Sequence, residues 1–205
     1  VYFVMGNNDG YLGDYMINAG KQFFKDIAID WPILTLNDKS HKPRSLLKQS
    51  GTYSLLTKNN WRLIILNSNL FYKKIHGENR DFYQAQALKW LTNQIASAQK
   101  DQQNVLIFYH IPFGIQPTKR FAHANKSSLW TTFANNTYIN LYHKYKSIIK
   151  GMIHGHVHRP LFMTLHKDNK NIVPQYLISS VSPIFGNRPS FSIFRYKNNK
   201  LTAEQ

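Results

Sequence analysis

Three times in this chain an apolar, strand-length run breaks off into a short polar turn: Phe3-Val4-Met5 into Gly6-Asn7-Asn8-Asp9, Ile107-Phe108-Tyr109 into His110-Ile111-Pro112, and Met152-Ile153 into His154-Gly155-His156-Val157-His158. Buried strands ending in polar turns restrict the fold sharply, because an open α/β sheet gathers side chains at the carboxyl ends of its strands without burying them in core. Between these units lie amphipathic stretches. The best is Asp81 to Lys100, where Phe82, Ala85, Leu88, Leu91, Ile95 and Ala98 recur at helical spacing. Together they give a mixed α/β reading.

The remaining elements follow from pattern. Tyr2 to Met5 reads as a short buried strand, and Asp14 to Ile29 as a helix carrying Met16, Ala19, Phe23 and Ile27 on one stripe. Gly51 to Leu56 and Trp61 to Asn67 read as a hairpin turning at Lys58-Asn59-Asn60. Thr137 to Ile149 reads as helix leading into the strand at Gly151 to His154, and Tyr176 to Val181 and Ser190 to Tyr196 read as late strands. Ile115 to Asn136 has weak periodicity and reads as a mobile loop. Neither a repeat nor a linker divides the 205 residues, so a single domain is expected. It reads as N-terminally incomplete, since Val1 is not an initiator methionine and already stands inside an apolar run.

Composition excludes some classes. The longest apolar runs are strand-length, well below the roughly 20 residues of a membrane-spanning helix. There are no cysteines, so no disulfide framework exists within these 205 residues. The formal net charge of +16 would draw anions. Its lysines, however, are scattered among asparagines at 58–60, 167–171 and 197–200, which reads as solvated surface more than as a nucleic-acid patch. No specific nucleic-acid partner is expected.

The turns carry the chemistry. Imidazole nitrogens are donors to Zn, Mn, Fe or Co, and an asparagine oxygen suits a divalent ion. On extended backbone His156 and His158 would point to one side and could serve two neighbouring metals; His154 has the same parity and could join them, but reads first as structural. The isolated histidines His41, His76, His123, His143 and His166 read as surface, His123 being the one best placed to reach a substrate.

In order, Gly-Asn-Asn-Asp, His-Ile-Pro and Gly-His-Val-His resemble the signature blocks of the calcineurin-like metallophosphoesterases. Gly51-Thr52-Tyr53-Ser54, the run Leu66 to Tyr72, Gln86 with Trp90-Leu91, and Ser180 to Pro183 before Pro189-Ser190-Phe191 make the chain similar to the acid sphingomyelinase-like branch. That branch includes endopolyphosphatases, some of which share the Gly-Asn-Asn-Asp variant. The resemblance implies a two-sheet β-sandwich flanked by helices, and hydrolysis of a phosphoester by a metal-bound water or hydroxide. It implies two divalent ions, zinc above all, with Mn, Fe or Co as alternatives. Asn7, His110 and His156 would hold one ion and His158 the other, while Asp9 would organise its turn from behind. Asn8 stands where the family commonly has a histidine that protonates the leaving group, a proton transfer an amide cannot make near neutral pH.

The family's bridging aspartate and its Asp-x-His pair belong to earlier blocks, so they are expected upstream of Val1. Asp14, Asp26, Asp30 and Asp38 come after the first block, in the wrong order to replace them. Phospholipid head groups, nucleotides and polyphosphate all fit the implied substrate class, and the implied setting is secreted or periplasmic. A truncated, non-catalytic member and a basic nucleic-acid-binding module are the alternatives.

Overall fold

The computed structural model describes residues 2–11, 13–16, 22–30, 47, 49–75, 77, 79–114, 128–167, 170–198 and 200–204. Its centre is strand β3, Asn104–Tyr109, in which Val105, Ile107 and Tyr109 are buried while Leu106 and Phe108 are half-covered. Counting in chain order, β1 is Tyr53–Leu56, β2 is Trp61–Leu66, β4 is Ile149–His154, β5 is Leu161–Lys167 and β6 is Lys170–Leu177. They form one six-stranded mixed sheet in the order β1-β2-β3-β4-β6-β5. The β2, β3, β4 and β6 neighbours run parallel, and β1 and β5 close the edges antiparallel. Parallel neighbours need long crossovers. Helices α2 (Arg80–Lys100) and α3 (Thr132–Tyr145) supply them, before and after β3.

Both helices cover the face bearing Ile64, Val105, Ile107, Tyr109 and Met152. The α2 stripe differs from the expected one at its start. Phe82 is exposed, and the buried side chains are Gln84, Ala87, Leu88, Leu91, Ile95 and Ala98. Gln84 can be buried because its amide is satisfied: it donates to Leu70 O (2.9 Å) and accepts from the Thr131 hydroxyl (3.1 Å). Thr131 also caps α3 by accepting the Ala134 N–H, so that helix begins five residues before the expected Thr137. Residues 128–136, expected as loop, instead carry the buried Trp130 and the first turn of α3. The rest of that stretch, 115–127, lies outside the described residues.

On the opposite face a hairpin of β7 (Ile193–Lys197) and β8 (Lys200–Glu204) packs against the sheet. Leu201 lies where a Cβ on Gly151 would stand, Tyr176 meets Phe194 edge-on at 5.2 Å, and Trp61 meets Tyr196 at 4.6 Å. The class is mixed α/β as read from sequence. Of a second sheet, the described residues hold this two-stranded hairpin. Strands β5 and β8 were not expected, and the late strands lie at 170–177 and 193–197 instead of 176–181 and 190–196.

The N-terminal segment 2–6 is no ladder strand. The Tyr53 hydroxyl ties it to β1, donating to Phe3 O (2.7 Å) and accepting the Phe3 N–H (3.1 Å). Helix α1 spans Gln22–Asp30, so Asp14, Tyr15 and Met16, expected inside it, are left for a turn. Among the described residues no helix is long and apolar enough to cross a membrane.

Candidate functional site

The first two sequence blocks and the third meet at the carboxyl ends of β3 and β4. Strand β3 runs out at Tyr109, and the backbone of the next two residues is clamped from below: Ser68 Oγ, fully buried, accepts the N–H of His110 (3.1 Å) and of Ile111 (2.7 Å). Gly155 N–H donates to His110 O (3.2 Å), fastening the third block to the second. Asn69 Nδ2 donates to Gly6 O (2.8 Å), and Asp9 Oδ2 accepts the Gly6 N–H (2.7 Å), which fastens and closes the first. Ser68 and Asn69 sit in a short 3-10 turn, Ser68–Phe71, capped by Asn67.

These ties bring three donor atoms together. His110 Nε2 lies 2.8 Å from Asn7 Oδ1, His156 Nδ1 lies 3.1 Å from the same oxygen, and the two nitrogens are 3.4 Å apart. An ion about 2.1 Å from each donor would space them about 3.0 Å apart at right angles and about 3.4 Å apart tetrahedrally. Two edges of the triangle fall in that range, and the third, at 2.8 Å, is shorter and has the length of a hydrogen bond. Among the described residues no three His, Cys, Asp or Glu side chains converge in this way; the set is two imidazoles and an amide.

Burial, and then the neighbouring His156 and His158, lowers the His110 pKa to about 3, so its ring is neutral and can donate a lone pair. His156 is lowered as well, by burial first, with Asp14 opposing and His158 adding. His158 stands beside the triangle without a bond to it. Its ring meets Phe185 edge-on at 4.8 Å, and its buried Nδ1 has no hydrogen-bond partner. Asn8 is exposed.

The parity expected for His154, His156 and His158 does not hold, because the strand ends at His154. His156 (φ 73°) and His158 (φ 60°) are left-handed, the conformation expected of a glycine, while Gly155 between them and the strand is not. Strained residues of this kind persist where the surroundings over-determine them, often in ligand sites. His154 points the other way. It is 2% exposed, stacks on Tyr109 (4.9 Å, 11°), and leaves both ring nitrogens without a hydrogen bond of normal geometry.

Two further residues reach the triangle. Asn7 Nδ2 donates to Asp14 Oδ1 (2.6 Å), and the Tyr15 hydroxyl lies 3.4 Å from His156 Nε2. Periodicity assigned both to a helix, and no spacing rule would have found them. Asp26 is engaged elsewhere, by Tyr11 and Gln22. His143 lies on α3, beside Tyr142, and the His166 side chain and residues 38, 41, 76 and 123 are outside the described set.

No protein-family model matches the chain. It is 26% identical over 212 residues to a rat protein named cyclic GMP-AMP phosphodiesterase SMPDL3A, covering 98% of this chain and 45% of that one. With human acid sphingomyelinase-like phosphodiesterase 3b it shares 23% identity over 219 residues, 100% of this chain and 46% of the relative. With Dictyostelium discoideum sphingomyelinase phosphodiesterase C it shares 27% over 169 residues, 80% and 34% respectively. The chain spans less than half the length of these curated relatives. Over nearly its whole length it is homologous to the acid sphingomyelinase-like phosphodiesterases, in keeping with the calcineurin-like blocks at 6–9, 110–112 and 155–158.

Proposed function

We propose that this chain carries the histidine-rich part of a metal-dependent phosphodiester hydrolase centre. The observation that supports this most is the triangle of Asn7 Oδ1, His110 Nε2 and His156 Nδ1, whose edges of 2.8, 3.1 and 3.4 Å bring three donor atoms within reach of one divalent ion. Zinc fits two imidazoles and an amide oxygen, and Mn, Fe or Co would be accepted by the same donors. His158 would hold a second ion, with donors beyond those in the triangle. When bound, such ions would supply Lewis-acid polarisation of a phosphoryl oxygen and a lower pKa for water.

The chain's own residues would do the rest. Burial holds His110 neutral, so no proton competes for its lone pair near pH 7. Asp9 keeps the Gly6-Asn7 turn closed by accepting the Gly6 N–H. Asn8, exposed beside that turn, can offer a leaving oxygen a hydrogen bond but not a proton. The family's two-sheet sandwich is the architecture we infer around it, the β7–β8 hairpin being part of its second layer.

Turnover of bis-p-nitrophenyl phosphate tests this reading. It should require added Zn2+ or Mn2+, stop with a chelator, and vanish in His156→Ala. A second reading, a non-catalytic family member, is favoured by Asn8, an amide where a proton donor would serve. Saturable metal binding without any turnover would decide for it. Turnover indifferent to chelation would contradict the metal-dependent reading.

A further inference from the structure

Asn7 and His156 can present their donor atoms to an ion only in one of the orientations open to each side chain. An asparagine amide is nearly symmetric in shape, and a half-turn would replace Oδ1 by an NH2 group that repels a cation. Asp14 breaks the symmetry. Its carboxylate accepts from Asn7 Nδ2 at 2.6 Å, and a carboxylate only accepts, so a flipped amide would set oxygen against oxygen. Asn7 Oδ1 is thereby left facing the two imidazoles.

His156 poses the corresponding problem of a tautomer. In the metal-free chain Asn7 Oδ1 can only accept, so a bond to it from His156 requires the proton on Nδ1 and leaves Nε2 as the acceptor. Once Nδ1 binds an ion, Nε2 carries the proton and donates. A phenol hydroxyl both donates and accepts, and the Tyr15 hydroxyl at 3.4 Å from Nε2 therefore suits either state. Ligating histidines commonly owe their ring orientation to such an outer partner.

Tyr15 is built into this place. Its N–H donates to Asn7 O (3.0 Å), its ring stacks on Tyr72 (4.5 Å, 26°), and its backbone takes φ 56°, rare for a bulky side chain. We propose that the Asp14-Tyr15 turn is a positioning device: Asp14 fixes the amide of Asn7, and Tyr15 fixes the ring of His156, so that both aim their donor atoms at one ion. This rests on reading the triangle as a metal site.

Cobalt(II) titrated into the 205-residue chain, followed by its visible absorption bands, tests it. Asp14→Ala and Tyr15→Phe should each weaken Co(II) affinity by about 10- to 100-fold and alter the bands. Asp14→Asn, which keeps a carbonyl acceptor for Asn7 Nδ2, should recover most of the loss. Tyr11→Phe, which removes a hydroxyl bound to Asp26 instead, should bind as the parent does. Equal affinity and identical bands in Asp14→Ala and Tyr15→Phe would overturn the proposal. A parent chain that binds no Co(II) would overturn the metal-site reading itself. Nitrogen-15 NMR of the metal-free chain separates the two failures: the His156 Nε2 resonance should move in Tyr15→Phe, which removes the hydroxyl 3.4 Å from it, and stay in place in Tyr11→Phe. An unchanged Nε2 resonance in Tyr15→Phe would overturn the role of Tyr15 whatever the metal result.

Discussion

His110 Nε2 sits 2.8 Å from Asn7 Oδ1 although 103 positions separate the two residues in the chain. That approach is made by the 3-10 turn between them. Ser68 holds the backbone of His110 and Ile111, and Asn69 holds Gly6.

Ser68→Ala would leave the buried Ile111 N–H and the part-buried His110 N–H without this acceptor, at about 1–3 kcal/mol for a fully buried group. Urea unfolding should show a loss of about 2–4 kcal/mol in sum, and metal affinity should fall with it as His110 loosens. A stability within 0.5 kcal/mol (an order-of-magnitude margin) of the parent would show that the clamp is dispensable.

His154 gives a pH prediction. Burial first, then His110 and His156, lowers its pKa from the ordinary 6.5 to about 3, with a weak interaction with Gln175 opposing. The folded chain thus holds this ring neutral where the unfolded chain would bind a proton. Its contribution is fully present above about pH 6.5 and is lost as pH falls toward 3, at up to about 1.4 kcal/mol per pH unit. Urea midpoints should therefore drop between pH 6.5 and 5. His154→Phe keeps the stack on Tyr109, removes two unsatisfied nitrogens, and should flatten that slope by about one proton without loss at pH 7. A parent and variant with the same slope would contradict this.

Gly51→Ala should destabilise the packing of α1 against the sheet. The position is left-handed (φ 69°), and an added Cβ would stand 2.6 Å from Phe24 Cε1 and 3.1 Å from Met5 Cγ. Left-handed strain and overpacking together should cost about 2–4 kcal/mol in urea unfolding. An unshifted midpoint would mean that Phe24 and Met5 give way freely.

How much of this was legible beforehand depends on range. Apolar runs of strand length and helical spacing located β1 to β4 and α2, because those signals are local. The start of α2 was misread because Gln84 is buried through hydrogen bonds to Leu70 and Thr131, contacts no periodicity announces. Asn7, His110 and His156 stood out as ligand-type residues at strand ends, and the structure brings these three together. The shared parity of His154, His156 and His158 fails, since extended backbone was assumed where the chain turns left-handed at His156 and His158, while the structural reading of His154 agrees with its burial and its stack on Tyr109. Asp14 and Tyr15 were hidden inside an amphipathic pattern that is a turn at 14–15 and helix at Gln22–Asp30. Ser68 and Asn69 lay in a run noticed for its wording, without any sign that it fastens the other blocks.

The central claim is that Asn7, His110 and His156 form one metal site. Equilibrium dialysis against Zn2+, with the bound metal counted by mass spectrometry, tests it most directly. The account predicts one tightly held ion per chain, lost in His110→Ala and in His156→Ala and retained in His154→Phe. Absence of saturable binding, or binding unchanged when both His110 and His156 are replaced, would contradict it.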